Sequence, residues 1–124
     1  MITGVGIDAV HVKRMERWLL NSKLLNRYFH PEELESAASR GKNGAQSLAA
    51  RFAAKEAFGK ALGTGLTGIT LKDIAVYNRY GGKPELKLSG TARDAFDKSG
   101  ADRVHISLTH ERETAIAVIV LERA

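Results

Sequence analysis

Residues 51–65 read RFAAKEAFGKALGTG, and the way this stretch is taken decides the fold. At about 3.6 residues per turn, a helix through it stacks Ala50, Ala54, Ala57 and Ala61 into a stripe of small side chains bordered by Phe58 and Leu62. A stripe this thin lets a helix lie close against a sheet. Phe52, Glu56, Gly59, Lys60 and Gly63 fall on a different face. Glu56 and Lys60 stand one turn apart, so both heads reach the same ligand, and Arg51 and Lys55 form a second such pair beside them. Taken alone, a Glu–Lys pair at this spacing describes an ordinary solvated helix face. The surrounding sequence changes that reading.

Upstream, residues 1–10 read as a strand in which Val5, Ile7 and Ala9 point one way and Gly4, Gly6 and Asp8 the other. Asp8 therefore stands on a face cleared by glycines, where either a ligand or another backbone comes close. The alternative role for Asp8 is to cap the next helix. Residues 11–20 follow as a helix with Val12, Met15, Leu19 and Trp18 inward and Lys13, Arg14 and Arg17 on a basic outer side. Residues 23–29 form a short helix, and His30-Pro31-Glu32-Glu33 opens another, with proline at the first helical position and acids in the first turn. His30 is a boundary residue. Residues 40–44 are a loop carrying Arg40 and Lys42, and Asn43 with Gln46 three residues on reads as the cap of the central helix.

Downstream, Gly63-Thr64-Gly65 ends the central helix through a left-handed glycine. Residues 69–78 read as a strand with one irregularity between Leu71 and Ile74, residues 80–84 as a turn, and residues 85–88 as its hairpin partner. Residues 91–99 are a helix with Ala92, Ala95 and Phe96 inward. Residues 104–110 alternate as a half-buried strand, and residues 115–121 are apolar on both faces, which places that last strand at the centre of an antiparallel sheet.

The 124 residues make one domain, 1–124, with no internal repeat or linker. There is no cysteine, which excludes a disulfide framework and thiolate metal sites. No run resembles a signal peptide or membrane span, so a cytoplasmic home without membrane partners is expected. The net charge of +5 favours polyanionic partners: nucleic acid, a phosphate-rich small molecule or an acidic protein. Aromatic residues are few and scattered, which weakens single-strand nucleic-acid binding because that mode wants stacking platforms. No arrangement of Ser, His and Asp is recognisable as a hydrolytic triad.

VGIDAV at residues 5–10, RFAAKEAFGKALGTG at 51–65, GGKPEL at 81–86 and HISLTH at 105–110 resemble, in order, four landmarks of the holo-acyl-carrier-protein synthases, a 4'-phosphopantetheinyl transferase family. Each motif is short, but the Asp strand, the F-x-x-K-E-x-x-x-K helix and their separation are jointly specific. The resemblance implies an α+β fold, an antiparallel sheet packed with a long central helix, in a single-copy unit that trimerises. It implies transfer of the phosphopantetheine arm of coenzyme A to a serine of an acyl carrier protein, a step in fatty-acid and lipid metabolism, with release of adenosine bisphosphate and with Mg2+ as cofactor.

Carried over residue by residue, the resemblance assigns the metal to Asp8 and Glu56, and magnesium commonly takes one or two carboxylates with water and phosphate oxygens completing its octahedron. Asp8, Glu56 and Lys60 become the catalytic group, with Lys60 toward the leaving phosphate. Arg51, Lys55 and Lys60 face the diphosphate or the 3'-phosphate. Gly63, the turn residues Gly82, Lys83 and Pro84, and His110 help hold the coenzyme, the turn and the central helix coming from different subunits of a homotrimer. Lys13, Arg14 and Arg17 offer a positive edge to the acidic carrier. Two other readings are a basic nucleic-acid module using Lys13, Arg14, Arg17, Arg27 and Arg40, which lacks any recognition motif, and a noncatalytic carrier binder, which the intact Asp8, Glu56 and Lys60 oppose.

Overall fold

The computed structural model describes residues 1–79 and 82–124. Strand β1 (Ile2–His11) is followed by three short helices, α1 (Val12–Trp18), α2 (Ser22–Tyr28) and α3 (Pro31–Ala38), and then by the long helix α4 (Gly44–Leu62). Strands β2 (Ile74–Asn78) and β3 (Pro84–Leu88) form a hairpin, helix α5 (Gly90–Lys98) follows, and strands β4 (Arg103–His110) and β5 (Thr114–Glu122) end the chain. The main sheet has the order β1-β5-β4, antiparallel throughout, and β2 and β3 make a separate two-stranded sheet. The last strand is central, as its two apolar faces require. The irregularity before β2 is a 3-10 turn at Leu71–Asp73. Tyr80 and Gly81, in the expected turn, lie outside the described residues.

The contact that sets this arrangement is backbone on backbone. A Cβ built on Gly6 would lie 1.9 Å from the carbonyl oxygen of Ala57, and one on Gly4 would lie 1.9 Å from that of Ala61. The glycines of β1 and the alanine stripe of α4 are therefore two halves of one interface, and the space beside Gly4 and Gly6 is taken by a helix rather than a ligand. Around this seam Met15, Phe29, Leu48, Phe58, Ile119 and Leu121 close the core. The opposite face of β1 carries Val5 and Ile7, which are 59% and 58% exposed. On β5 the half-buried Ile116, Val118 and Val120 pair with Ala9, Ile7 and Val5, so the β1–β5 half of this face is an apolar strip, bordered on β4 by the polar His105, Ser107 and Thr109. The two ends of the chain are laced together, the Met1 amino group donating to the Arg123 carbonyl at 2.7 Å and Arg123 N–H returning to Met1 at 2.8 Å.

Several local expectations are corrected. Asn43 precedes α4, but its side chain makes no cap hydrogen bond, because a 3-10 turn at Gly41–Asn43 leads directly into the helix. Leu19 points outward, 46% exposed, since α1 ends at Trp18. Asp8 stays within β1 and caps nothing. Phe52 and Gly59 are buried, Gly59 so close beneath Gly65 that an added Cβ would sit 2.7 Å from its carbonyl carbon. Asp73 caps α5 from outside the helix, accepting from Thr91 N–H at 2.8 Å and Thr91 hydroxyl at 2.6 Å.

The largest correction concerns Lys55, expected to face a ligand. Its ammonium is fully buried, 2.7 Å from the equally buried Glu33, and it also donates to the Leu71 carbonyl at 3.1 Å and to the Ile74 carbonyl. Glu33 accepts in addition from His30 N–H at 3.0 Å and Val76 N–H at 3.1 Å. Burial pulls the Lys55 ammonium down from its ordinary value, and the adjacent Glu33 opposes that. Lys55 thus ties α3 and β2 to α4 and is not free to bind coenzyme. Removing one member of a fully buried pair strands the other, at a cost of about 3–5 kcal/mol, whereas apolar replacement of both is often close to neutral. Glu33→Ala is expected to lower the unfolding free energy from urea titration by that amount, with a matching fall in the midpoint, and Glu33→Leu combined with Lys55→Met to recover most of it. Indistinguishable midpoints for wild type and Glu33→Ala refute this account.

Candidate functional site

The β1–α4 seam also delivers the carboxylates. Gly4 lies over Ala61 and Gly6 over Ala57, so the next residue in that row, Asp8, emerges beside the helix edge that carries Glu56 and Lys60. The Lys60 ammonium lies 2.9 Å from an Asp8 carboxylate oxygen and donates to the Ile7 carbonyl at 3.1 Å. Lys60 is the more exposed member, its side chain 53% exposed against 19% for Asp8. Glu56 is half-buried, and its carboxyl is pushed up from its ordinary value first by desolvation and then by the charge of Asp8, with Arg14 and Lys60 opposing. A carboxyl held up partly by a neighbouring carboxylate in this way defines a place for a cation. No group of three or more metal-ligating side chains occurs among the described residues. The donor set is therefore two hard oxygens with room for water and substrate oxygens, which fits magnesium and does not fit a closed structural metal.

Arg14 differs from its basic neighbours. Its guanidinium lies 5.0 Å from the Trp18 ring centroid and 5.0 Å from that of Phe52. Trp18 in turn stacks on Tyr28 at 5.3 Å and meets Phe52 edge-on at 5.1 Å. Lys13 and Arg17 are simply exposed. This aromatic cluster had no legible signal, because its members lie on three helices separated in the chain.

On another side of α4 a cavity of about 290 Å³ is lined by Arg40, Arg51, Asn78, Gly82, Pro84 and His110 among others. Four of the residues assigned to the coenzyme thus share one wall-and-floor arrangement. Arg51 is the floor. Burial pulls its guanidinium down, Glu33 opposes that, and the nearby charge of Arg40 adds to it, so two cations converge on this cavity. Lys83 is exposed on the turn beside this cavity and is not part of its lining. Gly63, at φ 83°, is the left-handed cap of α4, its N–H bonded to the Lys60 carbonyl. Sequence reasoning offered Arg40 only to a nucleic-acid partner and as a mobile loop charge, not to the coenzyme, and it passed over Asn78, which reads as a strand end. Among the described residues no hydrogen bond or ion pair joins the carboxylate group to the cavity.

A family model described as the 4'-phosphopantetheinyl transferase superfamily matches residues 4–119. The chain belongs to that superfamily. It is 58% identical over 122 residues to a holo-acyl-carrier-protein synthase of Treponema denticola, covering 98% of this chain and 99% of the relative. The crystal structure of the Neisseria meningitidis holo-acyl-carrier-protein synthase superposes with a TM-score of 0.89 at 36% identity, covering 99% of this chain and 100% of the other. That of Bacillus anthracis, solved in complex with coenzyme A (3',5'-ADP), gives 0.82 at 36% identity, covering 100% and 99%.

The raised Glu56 value has a signed consequence. The folded state holds this proton more tightly than the unfolded chain, so its contribution favours the fold below the ordinary carboxyl range near about 4.3 and is lost as pH rises through the raised value. Glu56→Gln is expected to melt higher than wild type at pH 7 in chelator, with the difference shrinking toward pH 4. Added magnesium should raise the wild-type melting temperature and leave the variant unmoved. A variant that melts no higher than wild type in chelator at pH 7 rules out the electrostatic reading.

Proposed function

We propose that this chain transfers the 4'-phosphopantetheine arm of coenzyme A to a serine hydroxyl of an apo acyl carrier protein and releases adenosine 3',5'-bisphosphate. The single observation that carries the reading is the convergence of Asp8, Glu56 and Lys60 at one seam in a chain of this superfamily. Magnesium bound by Asp8 and Glu56 would supply charge neutralisation of the diphosphate. The serine hydroxyl gives its proton to a carboxylate of the seam or to water, and its oxygen forms the new bond to the β-phosphorus as the bond to the bridging oxygen breaks and adenosine 3',5'-bisphosphate leaves, so the demand on the protein is positioning and neutralisation rather than a covalent relay. Lys60 is long, half-exposed and, among the described residues, held by Asp8 and one carbonyl, so its ammonium swings to the leaving phosphate when that charge develops. Arg51, Arg40 and His110 receive the adenosine-phosphate end, and Gly82, Lys83 and Pro84 border it. No helix of the described residues is long and apolar enough to cross a membrane, and we place the reaction in the cytoplasm.

The acidic carrier docks on Lys13, Arg14 and Arg17, where Arg14, stacked on Trp18 and Phe52 beside Glu56, is the pre-organised anchor. The working form is a homotrimer. The apolar strip that β1 and β5 present is the kind of surface monomers rarely expose, and the carboxylate group and the cavity stand on separate sides of one chain. A closed heterologous ring in which one subunit's carboxylates meet the next subunit's cavity completes each site.

Mass spectrometry of an apo carrier protein incubated with the chain, coenzyme A and magnesium is expected to show the phosphopantetheine mass gain, with Asp8→Asn and Glu56→Gln each removing most of it. Arg14→Glu with Arg17→Glu should raise the carrier KM while leaving the coenzyme KM little changed, an effect that added salt mimics. No mass gain from the wild-type chain sinks the reading. Val118→Lys, which puts a charge on the apolar face, is expected to give monomers in sedimentation and to abolish most transfer. A fully active Val118→Lys monomer overturns the shared site.

A further inference from the structure

Arg51 enters the cavity with most of its hydrogen-bonding capacity already in use. A guanidinium carries five N–H donors. Nε donates to Ser47 Oγ at 3.2 Å, Nη1 to the Val76 carbonyl, and Nη2 to both Ser36 Oγ at 3.0 Å and Asn78 Oδ1 at 3.2 Å. Among the described residues this leaves one N–H, on Nη1. The fork that would grip a phosphate with two parallel hydrogen bonds is therefore closed on its Nη2 side, and Asn78 is one of the two groups that close it. The other end of the same carboxamide is also engaged, Asn78 Nδ2 donating to the Gly82 carbonyl at 2.8 Å. Asn78 is the last residue of β2, paired with Pro84 across the hairpin, and it lines the cavity.

We propose that Asn78 is a positioning residue of the coenzyme pocket, one carboxamide that aims Arg51 and pins the Gly82 side of the turn, so that Arg51 presents a single N–H to the ligand. This rests on the reading of the cavity as the coenzyme pocket. The buried ion pair supports the geometry from beneath. Glu33 accepts from Val76 N–H, the Val76 carbonyl accepts from Arg51, and Arg51 reaches Asn78 and through it Gly82. The floor and one rim of the cavity thus belong to one hydrogen-bonded chain, and Asn78 is its exposed link, where a substitution leaves the buried part intact.

The test is steady-state kinetics with both substrates varied, on Asn78→Ala, Asn78→Asp and, as a control on the cavity itself, Arg40→Ala. Asn78→Ala removes both hydrogen bonds, and is expected to raise the coenzyme KM about tenfold while kcat and the carrier KM stay within about twofold. Asn78→Asp keeps an acceptor for Arg51 but has no N–H for the Gly82 carbonyl, and is expected to raise the coenzyme KM at least as far. Melting temperatures close to wild type are expected for both, since the residue is exposed. A coenzyme KM unchanged in either variant, or coenzyme and carrier KM values that rise together, overturns the assignment. If Arg40→Ala also leaves the coenzyme KM unchanged, it is the cavity reading that fails. If Arg40→Ala raises it and the Asn78 variants do not, the cavity stands and Asn78 is only a strand end.

Discussion

Everything in this chain depends on how close α4 lies to β1. At the two glycines the approach is limited by main chain alone, and any side chain there would have to occupy the space of a helix carbonyl. That spacing places a carboxylate from the strand and a carboxylate and an ammonium from the helix within reach of each other. A seam one side chain wider would separate the donors by several ångströms, too far for the one small cation we propose they share. The small residues that look like packing detail are thus the distance setting of the site.

The buried Glu33–Lys55 pair has a different task. Hydrophobic burial would hold α3 and β2 against α4 without saying at what register, because apolar contacts are non-directional. Two buried charges with all their hydrogen bonds made admit one arrangement: Lys55 needs the carbonyls of Leu71 and Ile74, and Glu33 needs the N–H groups of Val76 and His30. Specificity of this kind is bought with desolvation, and it fixes the strand from which the cavity floor is hung.

Much of the architecture was legible. The alanine stripe, the Pro31 start, the hairpin and the two-faced final strand are local periodicities, and local periodicity survives into the fold. Charges on α4 were the failure. Arg51 and Lys55 sit at the same helical spacing as Glu56 and Lys60, and nothing local distinguishes them. The difference is that Glu33, 22 residues earlier, and the carbonyls of Leu71 and Ile74 wait on one side of the helix, and the half-exposed edge of β1 with Asp8 on the other. Long-range partners decide which cation is structural. The Trp18–Tyr28–Phe52 cluster escaped for the same reason, as did Asn78, whose importance lies in what its two amide atoms touch. Asn43 was the opposite error, a sequence signature for a cap where the preceding turn already supplies the helix entry.

Pairing of the first strand with the last also dictates an order of assembly. Strand β1 has β5 as its sheet neighbour, and the amino group of Met1 reaches the carbonyl of Arg123. During synthesis the N-terminal strand therefore leaves the ribosome long before its hydrogen-bonding partner exists, and α4 can only shield one of its faces in the meantime. Loop closure over nearly the full chain precedes completion of the sheet, a topology of high contact order that slows folding. The strand that carries Asp8 therefore keeps an open edge until β5 has been made and has paired with it.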